Sequence, residues 1–402
     1  MILLKNARIS SIDGLVKKDI LIEEGKITKI EDTIDKEGIN LKGAYVLPGL
    51  TDIHVHFREP GFERKETIRT GSMAAAKGGY TTVFLMPNLN PVPDNLEHLK
   101  VEEDIIRKDA IIECIPYGSV TIGEKSMEVS DIDNLRTHTR YFSDDGVGFA
   151  DYDVLDEALK KIKKYDLFIA SHAENRKLLT AREGEYLAVR REIEHAVRIG
   201  VRYHFCHMST KESFDAIRKA QKQGYPITCE VTPHHLFLNE DDIHGNPNFK
   251  MNPPLRTKED QMETLKALLD GTASVIATDH APHTIEEKSR EYAKCPNGIL
   301  GLETAAPLVY TNLVKTGKIT FRQMEDFLSN NPRKLTGLPL NEIKVGNVAN
   351  LAVLDIDHEH TYSEDEILSK GKNSPFIGST LYGFNIMTIY QGNIVYRKES
   401  QK

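Results

Sequence analysis

The chain has 402 residues, of which 40% are hydrophobic and 28% charged, which is typical of a globular protein with a main domain and a smaller one. Its formal net charge of −8 argues against nucleic acid as a partner, because a polyanion selects a basic surface. A small anionic substrate is compatible with this charge, since the side chains of one cleft can oppose the net sign.

The first predicted elements are short strands and turns, and the same pattern returns at the end of the chain. ILLKNARIS and KDILIEEGKITKIED, with a turn at Glu24-Gly25, open the sequence. NVANLAVLDID and FNIMTIYQGNIVYRKE, with a turn at Gln391-Gly392, close it. From this shared pattern we predict one small β-sandwich domain made by both termini, residues 1–48 and 345–402.

The first residues lack the apolar run of a signal peptide, and no stretch has the length of a membrane span.

Between these ends, eight short apolar runs alternate with helix-like segments. The helix-like segments, such as DYDVLDEALKKIKKYD, carry apolar residues at positions i, i+3, i+4 and i+7. Strands alternating with helices predict a (β/α)8 barrel, here over residues 49–344. The eight predicted strands cover residues 49–57, 81–87, 111–120, 139–144, 167–172, 201–207, 226–232 and 274–280.

A histidine or aspartate lies at or just past the end of several predicted strands. In a parallel barrel the carboxyl ends of all strands face one rim, where such enzymes place their sites. Residues that are far apart along the chain are therefore expected to converge there. These residues are His54, His56, Asp145, His172, His207 and Asp279.

Imidazole and carboxylate ligands without a thiolate suit Zn²⁺, with Mn²⁺ or Co²⁺ as alternatives. His54 and His56 are two positions apart on a strand, so both can point to one metal. Four histidines and two aspartates exceed the needs of one tetrahedral zinc, which predicts a metal pair that shares a ligand. Asp279 is then the natural acceptor for a proton from metal-bound water. An isolated H-x-H is more often structural, and an isolated aspartate after a strand is more often a helix cap, so the prediction depends on the joint pattern.

The remaining histidines and the cysteines are interpreted differently. His234 and His235 are expected to have a structural or supporting role, and His280 is expected to point away from the metal, whereas His283 could reach a substrate. The four cysteines are far apart and form no C-x-x-C pair, so we expect buried thiols in a reducing cytoplasm. They are Cys114, Cys206, Cys229 and Cys295.

Eight stretches of the sequence resemble those of the dihydroorotase family of the amidohydrolase superfamily. H-V-H-F-R-E-P-G (54–61) and A-T-D-H-A-P-H (277–283) are typical of this family rather than of metal barrels in general, and the likeness runs along the whole chain. The other stretches are M-P-N (86–88), F-S-D-D-G (142–146), S-H-A-E-N (171–175), C-H-M-S-T-K-E-S (206–213), E-V-T-P-H-H (230–235) and K-M-N-P-P-L-R (250–256).

The resemblance implies a zinc enzyme that reversibly cyclises N-carbamoyl-L-aspartate to (S)-dihydroorotate in pyrimidine biosynthesis. It implies that His54 and His56 hold one metal and His172 and His207 the second. Asp145 would touch both metals, and Asp279 would be the metal-bound acid and base. The implied substrate contacts are Arg58, Asn88, Asn252, His283 and the Asn297-Gly298 backbone.

Physical reasons support some of these contacts more than others. Arg58 is expected one same-face step beyond His56, where a guanidinium can grip a carboxylate with two hydrogen bonds. Asn88 can donate and accept at once, but a turn residue after Pro87 is a competing interpretation. For Asn252 a turn role competes equally.

The sequence departs from many relatives in two places. F-S-D-D-G carries no lysine, which fits the subgroup that bridges its metals with aspartate. Whether one or two zinc ions are bound stays open. The stretch 175–201 is shorter than in bacterial relatives, which could change the rim or an oligomer contact. We expect a homo-oligomer, and residues 286–294 are a candidate lid.

Two alternatives remain. A hydantoinase or allantoinase would act on an uncharged ring and would not need Arg58. A non-catalytic scaffold of aspartate carbamoyltransferase would have lost ligands, whereas all six positions are intact here.

Overall fold

A computed structural model describes residues 1–12 and 14–399 of the chain. Its helices are amphipathic or short, and none within the described residues is long and apolar enough to cross a membrane. The strands are β1 Ile2–Ser11, β2 Gly14–Glu23, β3 Lys26–Glu31, β4 Ile39–Asn40, β5 Tyr45–Pro48, β6 Leu50–Val55, β7 Tyr80–Leu85, β8 Glu113–Pro116, β9 Gly118–Ser119, β10 Tyr141–Ser143, β11 Phe168–Ser171, β12 Tyr203–Phe205, β13 Ile227–Val231, β14 Val275–Ile276, β15 Leu351–Asp355, β16 His360–Thr361, β17 Thr380–Leu381, β18 Phe384–Tyr390 and β19 Asn393–Arg397. The α-helices are α1 Ile68–Gly78, α2 Leu96–Asp109, α3 Ile132–Leu135, α4 Tyr152–Lys164, α5 Arg182–Ile199, α6 Lys211–Lys222, α7 Pro233–Phe237, α8 Lys258–Leu269, α9 Ile285–Lys288, α10 Ala305–Val309, α11 Phe321–Glu325 and α12 Asn331–Thr336.

Strands β6 to β14 form the barrel, and each of the eight predicted runs overlaps at least one of them. The sheets run in the orders β6-β7-β8 and β9-β10-β11-β12-β13-β14, and every pair is parallel. β8 and β9 are one barrel strand interrupted at Tyr117. The last strand meets the first where His56 N donates to His280 O at 2.8 Å and Val55 bridges His280. The ends of β6 and β14 are therefore neighbours at the rim.

The outer helices turn an apolar stripe towards the barrel, as their sequence period predicts. In α4 the buried apolar residues Leu155, Ala158, Leu159 and Ile162 recur at helical spacing. The Asp151 side chain caps the start of this helix by accepting from two backbone N–H groups. The strands thus present their carboxyl ends to one rim while the helices enclose their sides.

The two chain ends build a single sheet with the order β19-β18-β15-β5-β1-β2-β3, in which β4 also pairs with β1. β5, from the start of the chain, lies between β1 and β15 and pairs antiparallel with β15 through four residue pairs. The sheet curls until Lys26 bridges Val348. Its inner face buries an apolar core that includes Leu4, Ile20, Ile22, Ile27, Val46, Leu351, Val353 and Ile389.

This architecture confirms the predicted fold class, a (β/α)8 barrel with a β domain from both termini. The predicted sandwich is one continuous curled sheet rather than two separate sheets. It is fixed to the barrel at the end of α1, where Thr388 Oγ1 donates to Ala76 O at 2.6 Å. The boundaries of the two domains, 1–48 with 345–402 and 49–344, stay predictions, and residues 400–402 lie outside the described residues.

Candidate functional site

Six predicted ligand side chains lie together at the carboxyl ends of the barrel strands. His54 lies within β6, and the others follow the ends of β6, β10, β11, β12 and β14 by one to three residues. None of the six is more than 7% exposed, although all are polar. Buried polar groups of this kind require partners. The residues are His54, His56, Asp145, His172, His207 and Asp279.

The first half of the cluster joins the two histidines of β6 to the two aspartates. His54 Nε2 lies 3.2 Å from Asp145 Oδ1 and 3.5 Å from Asp279 Oδ1. His56 Nε2 lies 3.3 Å from Asp145 Oδ2 and 3.0 Å from Asp279 Oδ1. Both imidazoles therefore point their Nε2 atoms at the same pair of carboxylates.

The second half of the cluster lies on the other side of Asp145. His172 Nδ1 and His207 Nε2 are 2.9 Å apart. They lie 3.7 Å and 3.5 Å from Asp145 Oδ1, respectively. Asp145 is thus the common neighbour of both histidine pairs. Asp144, the preceding residue, instead accepts from Val120 N and Thr121 N and supports a loop.

Second partners fix which ring nitrogen of each β6 histidine faces the cluster. His54 Nδ1 donates to Glu230 Oε1 at 2.6 Å, and His56 Nδ1 donates to Asn88 Oδ1 at 2.9 Å. In the neutral ring that binds a metal, this Nδ1–H leaves the Nε2 lone pair on the side of the cluster. Such outer partners orient metal-binding histidines.

Sequence reasoning missed Glu230, which is fully buried on β13. Its second oxygen accepts from His204 Nε2 at 3.1 Å, so one carboxylate joins His204 to His54. The only sequence signal was its place in the E-V-T-P-H-H stretch. Glu174 was missed as well; its Oε2 lies 3.2 Å from His172 Nε2 and accepts from Asn252 Nδ2 at 3.0 Å.

Buried charges of opposite sign stabilise one another in the cluster. Burial alone would raise the pKa of Asp145, but the neighbouring ring of His54 holds it well below its usual range. Burial alone would lower the pKa of His54, but the carboxylate of Asp145 raises that pKa well above its usual value. Burial opposes ionisation of Glu230 too, yet His54 and His204 lower its pKa to about 2. The carboxylates stay ionised, so the cluster requires positive charge.

The donor set fits a divalent metal pair. Within the described part of the chain, four groups of three potential ligand atoms lie within 4.8 Å of one another, and three of them consist of the predicted ligands alone. These three are His54, His56 and Asp145; Asp145, His172 and His207; and His54, His207 and Asp279. The fourth joins His54 to Cys206 and Glu230. Among the described residues, the buried atoms His54 Nε2, Asp145 Oδ1 and His207 Nδ1 have no hydrogen-bond partner. His54 Nε2 and Asp145 Oδ1 lie 3.2 Å apart, and unpartnered buried nitrogen and oxygen atoms that face one another are what a bound cation would satisfy.

Three residues of the site have left-handed backbone, which is rare for non-glycine residues. They are Arg58 with φ 63°, His207 with φ 32° and Asp279 with φ 49°. Such conformations persist only where the surroundings enforce them, and they concentrate at functional sites.

A cavity of 200 Å³ opens next to the cluster, and every predicted substrate contact lines it. Its other walls are the metal-ligand candidates His56, Asp145, His172 and Asp279 together with Gly146 and Ala281. The predicted contacts among its lining residues are Arg58, Asn88, Asn252, His283, Asn297 and Gly298. The cavity wall thus combines histidine and aspartate side chains with one guanidinium.

The reason given for Arg58 from the sequence was wrong in one respect. β6 ends at Val55, and the left-handed backbone of Arg58 takes it off the strand face. Its side chain nevertheless lines the cavity, with Nε 3.4 Å from Pro282 O. Burial lowers its pKa to about 10, so it stays charged at neutral pH.

Asn252 lines the cavity with one polar atom unengaged. Its amide donates to Glu174 Oε2, whereas its buried Oδ1 has no partner among the described residues.

His283 Nε2 donates to Asn297 O at 2.7 Å, which connects two of the predicted contacts. Burial, with Arg58 and Lys65 nearby, lowers the pKa of His283 to about 3, so its ring is neutral.

The other histidines lie close to where the sequence suggested. His235 makes local contacts to Thr232 Oγ1 at 2.8 Å and Pro253 O at 3.1 Å, which is a structural role. His280 packs edge-on against Phe57 and accepts from Gly301 N, away from the cluster. His234 is buried with Nε2 unpartnered, and burial lowers its pKa well below the usual value.

The candidate lid, residues 286–294, is anchored at its beginning. Glu287, in α9, pairs with Arg64 at 2.7 Å and with Lys65 at 3.6 Å. These contacts join α9 to the loop that carries Arg58. A lid function for this segment stays a prediction.

Gly298, in the cavity wall, packs its backbone closely against Ala281 and His283. Its φ is 139°, and an added Cβ would lie 2.6 Å from Ala281 O and 2.9 Å from the His283 ring. We expect Gly298→Ala to reduce the free energy of unfolding by about 2–4 kcal/mol through backbone strain and overpacking. Urea denaturation measures this. Gly317→Ala is the matched control, since φ is 72° and nothing lies within 4 Å, and it should cost about 1 kcal/mol. Equal losses would show that Gly298 is not closely packed.

Comparisons with known proteins agree with this geometry. A family model described as dihydro-orotase-like matches residues 43–188. Proteins named dihydroorotase from Bacillus cytotoxicus and Bacillus cereus are each 43% identical to the chain, over 99% of it and 99% of their own length. The solved L-hydantoinase (dihydropyrimidinase) from Arthrobacter aurescens superposes with a TM-score of 0.90 at 26% identity, covering 100% of this chain and 97% of its own.

Proposed function

The chain belongs to the dihydroorotase family, and from this membership we propose how its site carries out the reaction. The protein is a dihydroorotase, a hydrolase of a cyclic amide. We propose that it interconverts N-carbamoyl-L-aspartate and (S)-dihydroorotate, and that this reaction serves pyrimidine synthesis in the cytoplasm.

We propose a zinc pair as the cofactor. His54 and His56 would hold one ion, His172 and His207 the other, and Asp145 both, with Asp279 beside them. The imidazole and carboxylate donors and the unpartnered atoms of the cluster support this assignment. A bound pair would lower the pKa of a coordinated water to about 7 and withdraw charge from the amide oxygen. Mn²⁺ and Co²⁺ are chemically compatible alternatives.

The side chains of the chain bind the substrate and move its proton. Asp279 Oδ1 faces His56 Nε2 and His54 Nε2, which leaves Oδ2 free for proton transfer. In hydrolysis Asp279 would take a proton from the attacking water and pass it to the leaving ring nitrogen. In ring closure it would take that proton from the nitrogen and give it to the departing oxygen, which leaves as water. His56 and Asn88 keep this carboxylate in place through their hydrogen bond. Burial would raise the pKa of Asp279, but the imidazoles of His54 and His56 lower it, so it begins each cycle as the base.

The observation that carries the substrate assignment is the Arg58 guanidinium in the cavity wall, which has no carboxylate oxygen within 4.0 Å among the described residues. Its guanidinium is therefore available for a substrate carboxylate. The histidine and aspartate side chains of the same cavity suit the amide being cleaved. Dihydroorotate carries such a carboxylate, whereas hydantoin and allantoin do not. The scaffold alternative is disfavoured because all six ligand candidates converge.

Removal of metal should abolish turnover. We expect chelation to lower dihydroorotate hydrolysis by more than about hundredfold and zinc to restore it. Metal analysis should give about two zinc ions per chain, falling to about one in His207→Ala. His358→Ala is the control, since its side chain is 81% exposed.

Substrate preference, measured on protein of known zinc content, distinguishes the dihydroorotase from the two alternatives. Turnover of hydantoin or allantoin in preference to dihydroorotate would favour the hydantoinase alternative, and bound metal without turnover would favour the scaffold. Homo-oligomer formation and association with aspartate carbamoyltransferase stay predictions.

A further inference from the structure

Lys288 is a buried lysine at the end of α9 that the reaction as described does not use. Only 6% of it is exposed. Its Nζ donates to the carbonyls of Lys250 at 3.2 Å, Pro296 at 3.2 Å and Gly298 at 3.0 Å. Among the described residues no carboxylate oxygen lies within 4.0 Å of Nζ. The ammonium ion therefore uses all its donors on backbone oxygens and has no counter-ion.

The three carbonyls belong to loops that wall the cavity. Asn297 and Gly298 line it directly. Gly298 N donates to Lys250 O at 3.0 Å, so Lys288 and Gly298 share that acceptor. The Lys288 side chain thus joins the 296–298 segment to the loop that continues to Asn252.

Asn373, which sequence reasoning also missed, binds the same segment at Gly298 O. Its Nδ2 donates to Gly298 O at 2.9 Å and to Ala281 O at 3.1 Å, and its Oδ1 accepts from His283 N at 3.1 Å. Gly298 O therefore has two donors, one charged and one neutral. The neutral donor connects the segment to the His283 loop, and the charged donor connects it to the Lys250 loop.

The charge of Lys288 adds to that of Arg58 beside the cavity. Burial lowers its pKa to about 8, so at neutral pH the protonated form predominates. A buried cation without a counter-ion is costly, and a neutral side chain could support the fold at lower cost. An anion that binds in the cavity would offset the charge of both Lys288 and Arg58.

We propose that Lys288 is a positioning residue for the substrate carboxylate: its ammonium ion holds the Pro296–Gly298 segment against the cavity and adds positive charge behind that wall. The inference rests on the proposed substrate, which carries at least one carboxylate in each direction. Lys288 acts through Gly298 and Asn297 and touches no reacting atom. It should therefore affect substrate affinity more than the chemical step.

The test compares Lys288→Met, Lys288→Arg and Lys266→Met in zinc-loaded full-length protein with dihydroorotate. Lys266 is the matched control because it lies on α8, is 61% exposed beside Glu263 and does not line the cavity. We expect Lys288→Met to raise KM about tenfold or more, with kcat within about threefold of wild type. Lys288→Arg should recover part of the affinity, and Lys266→Met should match wild type.

A KM for Lys288→Met within about twofold of wild type, or a fall in kcat alone, would overturn the inference. Loss of zinc together with activity would also overturn it, since it would indicate a purely structural role. If Lys288→Met does not fold, Lys288→Gln, which keeps two N–H donors without the charge, is judged by the same criteria. An inactive wild type with zinc bound would instead refute the proposed substrate.

Discussion

Asp279→Asn is expected to lower turnover by about 10²–10⁴ in both directions while the protein keeps its metal. The amide retains an oxygen beside His56 Nε2 and His54 Nε2, where Asp279 Oδ1 now lies. It cannot take up a proton at neutral pH, so neither hydrolysis nor ring closure has its acid and base. The rates of dihydroorotate hydrolysis and of N-carbamoyl-L-aspartate cyclisation, measured with zinc content on the same sample, check this.

Asp215→Asn is the control for this substitution. Its side chain is 58% exposed and pairs with Arg218 on the outside of the barrel. It should leave both rates unchanged. Activity of Asp279→Asn near that of wild type would remove Asp279 from the mechanism. Loss of zinc from this variant would show that Asp279 acts mainly as a metal ligand.

Arg58→Met is expected to weaken dihydroorotate binding by about 2–4 kcal/mol, a rise in KM of about 30- to 1,000-fold. Arg58 is the only arginine or lysine among the described residues that line the cavity. A ring without a carboxylate makes no use of that charge. The inhibition constant of dihydrouracil, the same ring without the carboxylate, should therefore change little.

Arg64→Met tests whether any arginine of this loop would have the same effect. Arg64 is 64% exposed and pairs with Glu287 rather than lining the cavity. It should leave KM near the wild-type value. If Arg58→Met weakened dihydroorotate and dihydrouracil equally, Arg58 would be structural rather than a carboxylate partner.

The sequence predicted the convergence of the six ligand candidates because it depends on simple rules. A parallel barrel brings all strand ends to one rim, and the apolar runs mark those ends. His54 and Asp279 are 225 positions apart, but the strand order alone places both at the rim. Their roles as ligands stay predictions.

What the sequence could not supply depends on contacts between distant loops. Arg58 was placed on a strand face that ends three residues earlier, because left-handed backbone leaves no signal in a non-glycine residue. Glu230 belongs to an apolar strand, and nothing local shows that its carboxylate joins His54 to His204. Lys288 and Asn373 lie far apart in sequence and share Gly298 O as an acceptor.

The place of β5 in the terminal sheet has a consequence for synthesis of the chain. β5 has one residue pair with β1, and its four pairs with β15 involve a strand that the ribosome makes only after the whole barrel. Until then the β5 edge has free N–H and C=O groups that could pair with another nascent chain. Chains interrupted before Leu351 keep that edge open, so they should require chaperones more than the finished protein does.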